Sequence, residues 1–372
     1  MRVLLVDLWE GPGHAYYSGP FISAMARKKS VQTAFLHNIR QDLALYPQNV
    51  TRFPINAPTN LRSDQVPQIM LQPLEFFRMI SKIKRFQPDM IHLIFSYPWF
   101  TAVMPLLARK YNFAQTLHDI TPHHGEETMR NRLALKALIK YANPVFVHGR
   151  QSYNKASELY PGVTNRLNII PHGHFDFLNP SDEPKPEPEE TTFLFFGRIL
   201  PYKGLNIALR ALEIVLREFP ETRMIIAGTG SIENEKPLIQ KMEKNLEICN
   251  RRVDDDDLRK LMRRSLAVLA PYTHASGSGV VATTYAFSTP VIGSRLGGLI
   301  DMIVPDKTGW LFEPGDPEQL AGCMKKAVRD KSLMVRLGRN AKEHAKQAWD
   351  WNKITDNCVN AYREALSNKG KP

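Results

Sequence analysis

Short apolar, β-branched runs recur through the first half of the chain, each followed by a stretch whose hydrophobic positions have helical spacing. They are Val3–Leu8, Thr33–Leu36, Met90–Phe95, Gln115–Leu117, Pro144–Val147 and Leu167–Ile170. Consecutive rather than alternating apolar positions predict strands covered on both faces. The pattern breaks at Ser181–Glu190, where SDEPKPEPEE combines proline with like charges and predicts an extended linker or surface loop. A second series then begins: Thr192–Phe196, Arg223–Ala227, Leu266–Ala270, Pro290–Gly293 and Gly309–Phe312. Helical periodicity fills the gaps, clearest in Leu205–Glu218, Pro317–Val328 and Trp351–Leu366.

Two runs of alternating strand and helix predict an α/β chain with two doubly wound, Rossmann-like domains. The expected divisions are a first domain over 1–180, a linker over 181–190 and a second domain over 191–350. The segment 351–372 is expected to form a helix that packs back toward the first domain. Ligands of such sheets bind beyond the carboxyl ends of the strands. Two of them facing each other would therefore make an inter-domain cleft.

Composition narrows this picture modestly. A chain of 372 residues is long for one hydrophobic core, in keeping with two domains. Cys249, Cys323 and Cys358 lie far apart and match no metal-ligand spacing, so they are expected to be reduced thiols. The apolar start reaches Asp7 within one strand length, which argues against a signal peptide. No stretch approaches the roughly 20 apolar residues that span a bilayer. A cytoplasmic location is expected. Charge is uneven: residues 1–178 hold 20 Lys and Arg against 11 Asp and Glu, net +9, leaving 29 against 26, net +3, for the rest. The basic first half suggests an anionic partner, whether nucleic acid, a lipid surface or a phosphorylated substrate.

The strongest local signal is the block TTFLFFGRILPYKGLNIA. A strand ends at Gly197, Arg198 follows at once, and Lys203-Gly204 opens an amphipathic helix. Arg198 offers a planar fork for two phosphate oxygens and Lys203 a mobile point charge, so both can reach one diphosphate. As mere surface cations at a helix start they would oppose the helix dipole. A second wall is predicted in PYTHASGSGVVATTYAFSTPVI, where a strand exits into Ser276-Gly277-Ser278-Gly279 before a helix. Glycines admit close approach, and a helix N-terminus presents free N–H groups to an anion. The loop Ala227-Gly228-Thr229-Gly230-Ser231 is a weaker glycine signal that a simple tight turn would also explain.

In this order the motifs resemble the retaining GT-B glycosyltransferases of the group 1, or family 4-like, type. The resemblance runs through the loop Gly11-Pro12-Gly13-His14, His118-Asp119 and Ile170-Pro171-His172-Gly173. It continues through GRILPYKG, AGTGS, the SGSG–PVI block, SRLGGLIDMI, TGWLFEPGD and Trp351–Tyr362, and is closest in the second half. It implies a GT-B fold and transfer of a hexose from a UDP- or GDP-linked donor. The acceptor implied is a saccharide or lipid-linked saccharide, in surface polysaccharide or glycolipid synthesis. Arg198 and Lys203 resemble the pair that holds the donor diphosphate and stabilises the leaving group. Gly13, with His14 beside it, resembles the loop that lies against the donor, and His118 resembles the histidine near the reacting centre. Gly197, Gly228, Gly230, Ser276, Gly277, Ser278, Gly279 and Thr283 fall in the donor-binding blocks.

One departure stands out. The family usually carries two glutamates around the SGSG block, gripping donor sugar and ribose; Ser276 and Thr283 occupy those positions here. The resemblance also implies retention of configuration. No carboxylate pair suited to double displacement is evident, so a front-face reaction is expected, with Asp7, Asp119 and Asp176 as the carboxylates to test.

The run Asp254–Asp257 could chelate a divalent ion, but it precedes Leu258–Met262, where acids cap a helix and favour its dipole. No metal and no cofactor beyond the nucleotide sugar is expected. Two basic amphipathic stretches, Glu75–Gln87 and Thr128–Ala142, could lie on anionic lipid at the inner face of the cell membrane. As solvated faces of sheet-covering helices they would need no partner. Nucleic acid is disfavoured, since no recognised binding motif accompanies the charge. The rival functions are a silent nucleotide-sugar-binding protein of the same fold and a nucleotide-sugar epimerase.

Overall fold

In the computed structural model, which describes residues 1–57, 72–97, 100, 103–120, 135–136, 138–180, 185–275 and 277–368, every apolar run named above contributes a strand to a parallel sheet. The chain forms two compact units, one of Met1–Gly173 with Trp351–Pro372 and one of His174–Asp350.

The first unit is built on β1 (Arg2–Asp7), which pairs in parallel with β2 (Gln32–Asn38) and β4 (Met90–Leu93). With β3 (Thr51–Ile55), β5 (Asn112–Leu117), β6 (Ala142–Val147) and β7 (Leu167–Ile169) the order is β3-β2-β1-β4-β5-β6-β7. Helix α1 (Pro12–Ala26) follows β1, and α2 (Gln72–Phe86) buries Met79, Ile83 and Phe86 against Leu4, Leu36 and Ile91. Helix α3 (Arg150–Leu159) follows β6.

The second unit repeats the plan. Strand β8 (Thr192–Phe196) is flanked by β9 (Arg223–Ala227) and β11 (Ala267–Ala270). Adding β10 (Leu246–Cys249), β12 (Val291–Ser294) and β13 (Gly309–Phe312) gives the order β10-β9-β8-β11-β12-β13. Helix α4 (Leu205–Leu216) buries Leu205, Ala208, Leu209, Leu212 and Val215, a stripe at spacings of three and four. Capping residues start the helices that follow. Asp254 accepts from Asp257 N at the head of α5 (Asp255–Arg264), and Ser278 from Val281 N at the head of α6 (Gly279–Ala286). Asp316 and Asp330 do the same for α7 (Pro317–Arg329) and α8 (Lys331–Ala348). The acidic run Asp254–Asp257 is thus a capped first turn, tied by Arg251 and Arg259.

Helix α9 (Trp351–Asn368) belongs to the first unit, where it packs on α1 and β6. Tyr362 is fully buried and its hydroxyl lies 2.5 Å from His92 Nδ1. Gly173 passes so close beneath the Trp351 indole that a Cβ there would stand 2.2 Å from the ring. Each fully buried Ile, Val or aromatic side chain of this helix contributes about 1.5–3 kcal/mol.

One boundary needs correction. The first domain ends at Gly173 rather than at 180, because residues 174–180 are bonded into the second unit: His174 N donates to Trp349 O and Asn179 Nδ2 to Ala286 O. Residues 185–190, in the segment expected as a linker or surface loop, carry no helix or strand and are anchored to the second unit. Lys185 Nζ donates to Ser265 O and Thr289 Oγ1, and Lys331 Nζ to the carbonyls of Pro188 and Glu189. Two edge strands, β3 and β10, were not anticipated. Among the described residues, no helix is long and apolar enough to cross a membrane.

Candidate functional site

The second sheet starts at β8 and winds away in both directions, so its topological switch point lies between β8 and β11. The loops at that point converge. Gly197 N donates to Ala227 O, and Ile199 N to Thr229 O at 2.7 Å, so backbone is fixed on both sides of Arg198. The Arg198 side chain itself is exposed. Gly228, at φ +145°, sits so close to this turn that a Cβ would stand 1.8 Å from Gly197 O. Only glycine allows these two loops to touch.

The other side of the switch point is stapled on just as firmly. Thr273 N donates to Tyr202 O at 2.8 Å, and a Cβ on Gly204 would stand 1.9 Å from Pro271 O. Lys203 Nζ lies 3.8 Å from the centre of the Tyr272 ring and 5.1 Å from that of Tyr202. Such cation–π contacts contribute about 0.5–2 kcal/mol and hold an ammonium in place without neutralising it. The Tyr272 hydroxyl lies 3.3 Å from Ser278 Oγ, which caps α6. Lys203 and the N-terminus of α6 thus lie beside the turn that carries Arg198, where a Cβ on Gly197 would stand 3.2 Å from Val280 Cγ2.

The glycines divide into two kinds. Gly197, Gly204, Gly228 and Gly230 have positive φ and are demanded by the backbone. Gly277 and Gly279 would carry a Cβ into open space, with nothing within 4 Å. Nothing in the fold requires them to be glycine. Thr283 is 4% exposed within α6, and Ser276 lies outside the described residues.

The remaining predicted residues stand in the first unit. Gly13 is exposed in the first turn of α1, again with nothing within 4 Å of a Cβ. His14 stacks on Trp9 at 5.3 Å and meets the Phe95 ring edge-on at 4.3 Å; His118 stacks on Phe95, also at 4.3 Å. His118 Nε2 lies 3.1 Å from Ile94 O, and since a carbonyl only accepts, that nitrogen carries the proton. Burial holds its pKa well below the usual imidazole range, with His148, His172 and His14 adding to the effect. Among the carboxylates singled out, Asp7 is committed to structure: Trp9 N, Ser18 Oγ, Gln41 Nε2 and Tyr46 OH all donate to it. Asp176 lies in the second unit, 3.8 Å from Lys346. Among the described residues, no group of three or more His, Cys, Asp or Glu could hold a metal ion.

Sequence reasoning passed over Tyr272 and His148. Each stands just past the carboxyl end of a parallel strand, a signal that could have found them.

Residues 179–344 match the family model for glycosyl transferases group 1. The matched residues lie wholly within the second unit, which is similar to a group 1 glycosyl transferase domain. Across the chain, a D-inositol 3-phosphate glycosyltransferase of Acidothermus cellulolyticus is 25% identical over 285 residues, which cover 72% of this chain and 62% of that protein. This chain thus spans less than two thirds of that relative's length. In structure, Anabaena Alr3699/HepE in complex with UDP matches with a TM-score of 0.73 at 18% identity, covering 98% of this chain and all of that one. Sucrose-phosphate synthase from Thermosynechococcus elongatus matches with a TM-score of 0.75 at 17% identity, covering 99% of each. At such identities the likeness is one of fold. It places the two parallel-sheet, Rossmann-like units in the GT-B fold class.

Proposed function

We propose that the protein transfers a sugar, with retention, from a UDP- or GDP-linked donor to a hydroxyl of a saccharide or lipid-linked saccharide during surface polysaccharide or glycolipid synthesis. The group 1 domain takes the donor. The observation that carries this reading is the placement of Arg198 and Lys203 on the loop after β8, at the switch point of the sheet and beside the α6 N-terminus, with glycines nearby that the fold does not need.

The chemistry follows from that geometry. As the bond from the anomeric carbon to the phosphate oxygen breaks, its electron pair moves onto the diphosphate. Fixed cations and N–H groups stabilise the growing charge, as pre-organised donors do in many enzymes. The acceptor oxygen bonds on the same face, and its proton passes to the departing diphosphate. No protein carboxylate enters this route, and Asp7, with four donors around it, supports that omission. With two cations in place, turnover is expected to survive chelation of divalent ions. Gly13, His14 and His118 form the saccharide-facing wall of the first unit in this proposal.

Exposure on α2 supports a peripheral seat on anionic membrane. Leu74 and Phe77 are 48% and 71% exposed, and Arg78, Lys84 and Arg85 are exposed on the same helix. A lipid-linked acceptor would be met there.

The test is nucleotide release and product anomer, followed by NMR, across UDP- and GDP-sugars. Retained configuration and loss of turnover in Arg198→Ala and Lys203→Ala are expected. Unchanged turnover in both variants refutes the site. Binding without turnover of any donor would select a silent sugar-nucleotide-binding protein, a reading favoured by Ser276 and Thr283 standing where glutamates are expected.

A further inference from the structure

Helix α6 has only eight residues, Gly279–Ala286, and every side chain from Val281 to Ala286 is buried. A helix of this length does not hold itself together in water, so its seat is set by what grips it. At its head Ser278 caps the first turn. At its tail the carbonyl of Ala286 accepts from Asn179 Nδ2 at 3.2 Å, which satisfies a group that a buried helix end would otherwise strand.

Tyr285, in the last turn, is fully buried and held twice. Its ring lies flat on the Trp349 indole, with centroids 5.4 Å apart and planes 7° from parallel. Its hydroxyl donates to Thr308 Oγ1 at 2.7 Å, and the same oxygen accepts from Val304 N at 2.9 Å. Trp349 is fixed in turn. His344 meets the indole edge-on at 5.9 Å, and the Trp349 carbonyl accepts from His174 N at 3.2 Å. His174 is the first residue of the second unit and Asp350, next to Trp349, is its last. The tail of α6 is thus built against the two points where the chain enters and leaves that unit.

Apolar contact alone would bury this tail without fixing it, because such contact has no direction. A stacked pair and an aimed hydroxyl define one ring plane and one distance. At roughly 1.5 Å of rise per residue, Tyr285 stands about 9 Å along the axis from Gly279 at the head. A diphosphate at the head would not reach Trp349, but a shift at the tail would move the first N–H groups.

We propose that Tyr285 and Trp349 are positioning residues for the donor: their stack seats α6 along its axis so that its first N–H groups meet the diphosphate. This rests on the diphosphate reading above and adds what holds the helix in place for it.

The test is calorimetric titration of the full chain with UDP, GDP and inorganic pyrophosphate. Trp349→Leu, which removes the stack, should weaken binding about tenfold, whereas Trp349→Phe, which keeps it, should stay within about twofold of wild type. A role in stability alone would lower the melting temperature of Trp349→Leu and leave the affinity of the folded protein unchanged. A double-substitution cycle checks the route through α6. Ser278→Ala should cost less affinity in Trp349→Leu than in wild type, while Arg198→Ala, on another loop, should cost the same in both. In the wild type the indole 15N resonance of Trp349, assigned by its loss in Trp349→Phe, should shift on saturation with UDP. If Trp349→Leu does not fold, that resonance and Tyr285→Phe decide, the latter with binding weakened about threefold. Wild-type affinity in Trp349→Leu, additive effects of Ser278→Ala and Trp349→Leu, or an unmoved Trp349 resonance would overturn the inference and leave the diphosphate site standing. A wild type that binds none of the three ligands overturns both.

Discussion

The two sheets share a winding order and end in different chemistry. Past the strands of the first unit stand His14, Phe95, His118, His148 and His172, packed ring to ring and kept neutral where burial acts most strongly. Past those of the second stand Arg198, exposed, and Lys203, resting on Tyr272, beside glycines that leave room. Bulk charge points the other way, with net +9 over residues 1–178 and +3 over the rest. Net charge by half therefore does not locate an anion site. The proposed diphosphate site rests instead on the placement of two cations at a switch point, where backbone hydrogen bonds hold the chain and solvent reaches the Arg198 side chain.

The sharpest way to break this contrast is to remove the cations. Arg198→Ala or Lys203→Ala should lower kcat about 10²- to 10³-fold in the turnover assay while leaving saccharide binding by the first unit untouched. Equal loss of both activities would mean that the units are not chemically distinct. Next in size is a contrast among glycines. Gly228→Ala, at φ +145° and facing Gly197 O, should cost about 1–3 kcal/mol or more in urea unfolding. Gly277→Ala should change stability by less than about 0.5 kcal/mol yet weaken donor binding. A Gly277→Ala protein with normal donor affinity would show that the open space serves no ligand.

Acid should separate the units too. His92 and His148 are pushed to about 3 and His172 to about 4, all by burial, whereas an unfolded histidine titrates near pH 6.5. Between those values the unfolded chain binds protons that the folded one excludes. Stability is thus full above about pH 6.5 and falls with pH below it, by about 1.4 kcal/mol per pH unit for each histidine. Hydrogen exchange should place the larger part of that loss in the first unit, since burial also holds His174 and His344 of the second below the usual imidazole value; a flat profile between pH 7 and 5 would contradict the neutral cluster. The smallest effect concerns lipid. Replacing Leu74 and Phe77 by Ser should weaken flotation with anionic vesicles about tenfold, since each exposed side chain could bury only part of its area. Thermal stability should be unchanged.

Much of the fold was legible because parallel strands buried on both faces need consecutive apolar residues, as in Phe193–Phe195 and Val3–Val6. The two strands that escaped notice, β3 and β10, lie at sheet edges. Pro54 and Glu247 interrupt them, and most of their side chains remain at least partly exposed. The boundary at Gly173 was hidden for a different reason. Residues 174–180 are held by contacts to Trp349, Ala286 and Arg259, all distant in sequence. Within the site, Arg198, Lys203 and the glycine turns could be read because their residue types announce phosphate chemistry. Tyr272 and His148 could not, since an aromatic platform and a buried imidazole are defined by neighbours that only folding supplies.

Calorimetric titration of the intact chain with UDP and with GDP tests the central assignment most directly. Saturable binding of at least one diphosphate is expected, weakened about tenfold or more by Arg198→Ala and by Lys203→Ala and unaltered by His148→Gln. Binding that survives both cation substitutions, or that is lost only in the histidine variant, would contradict it.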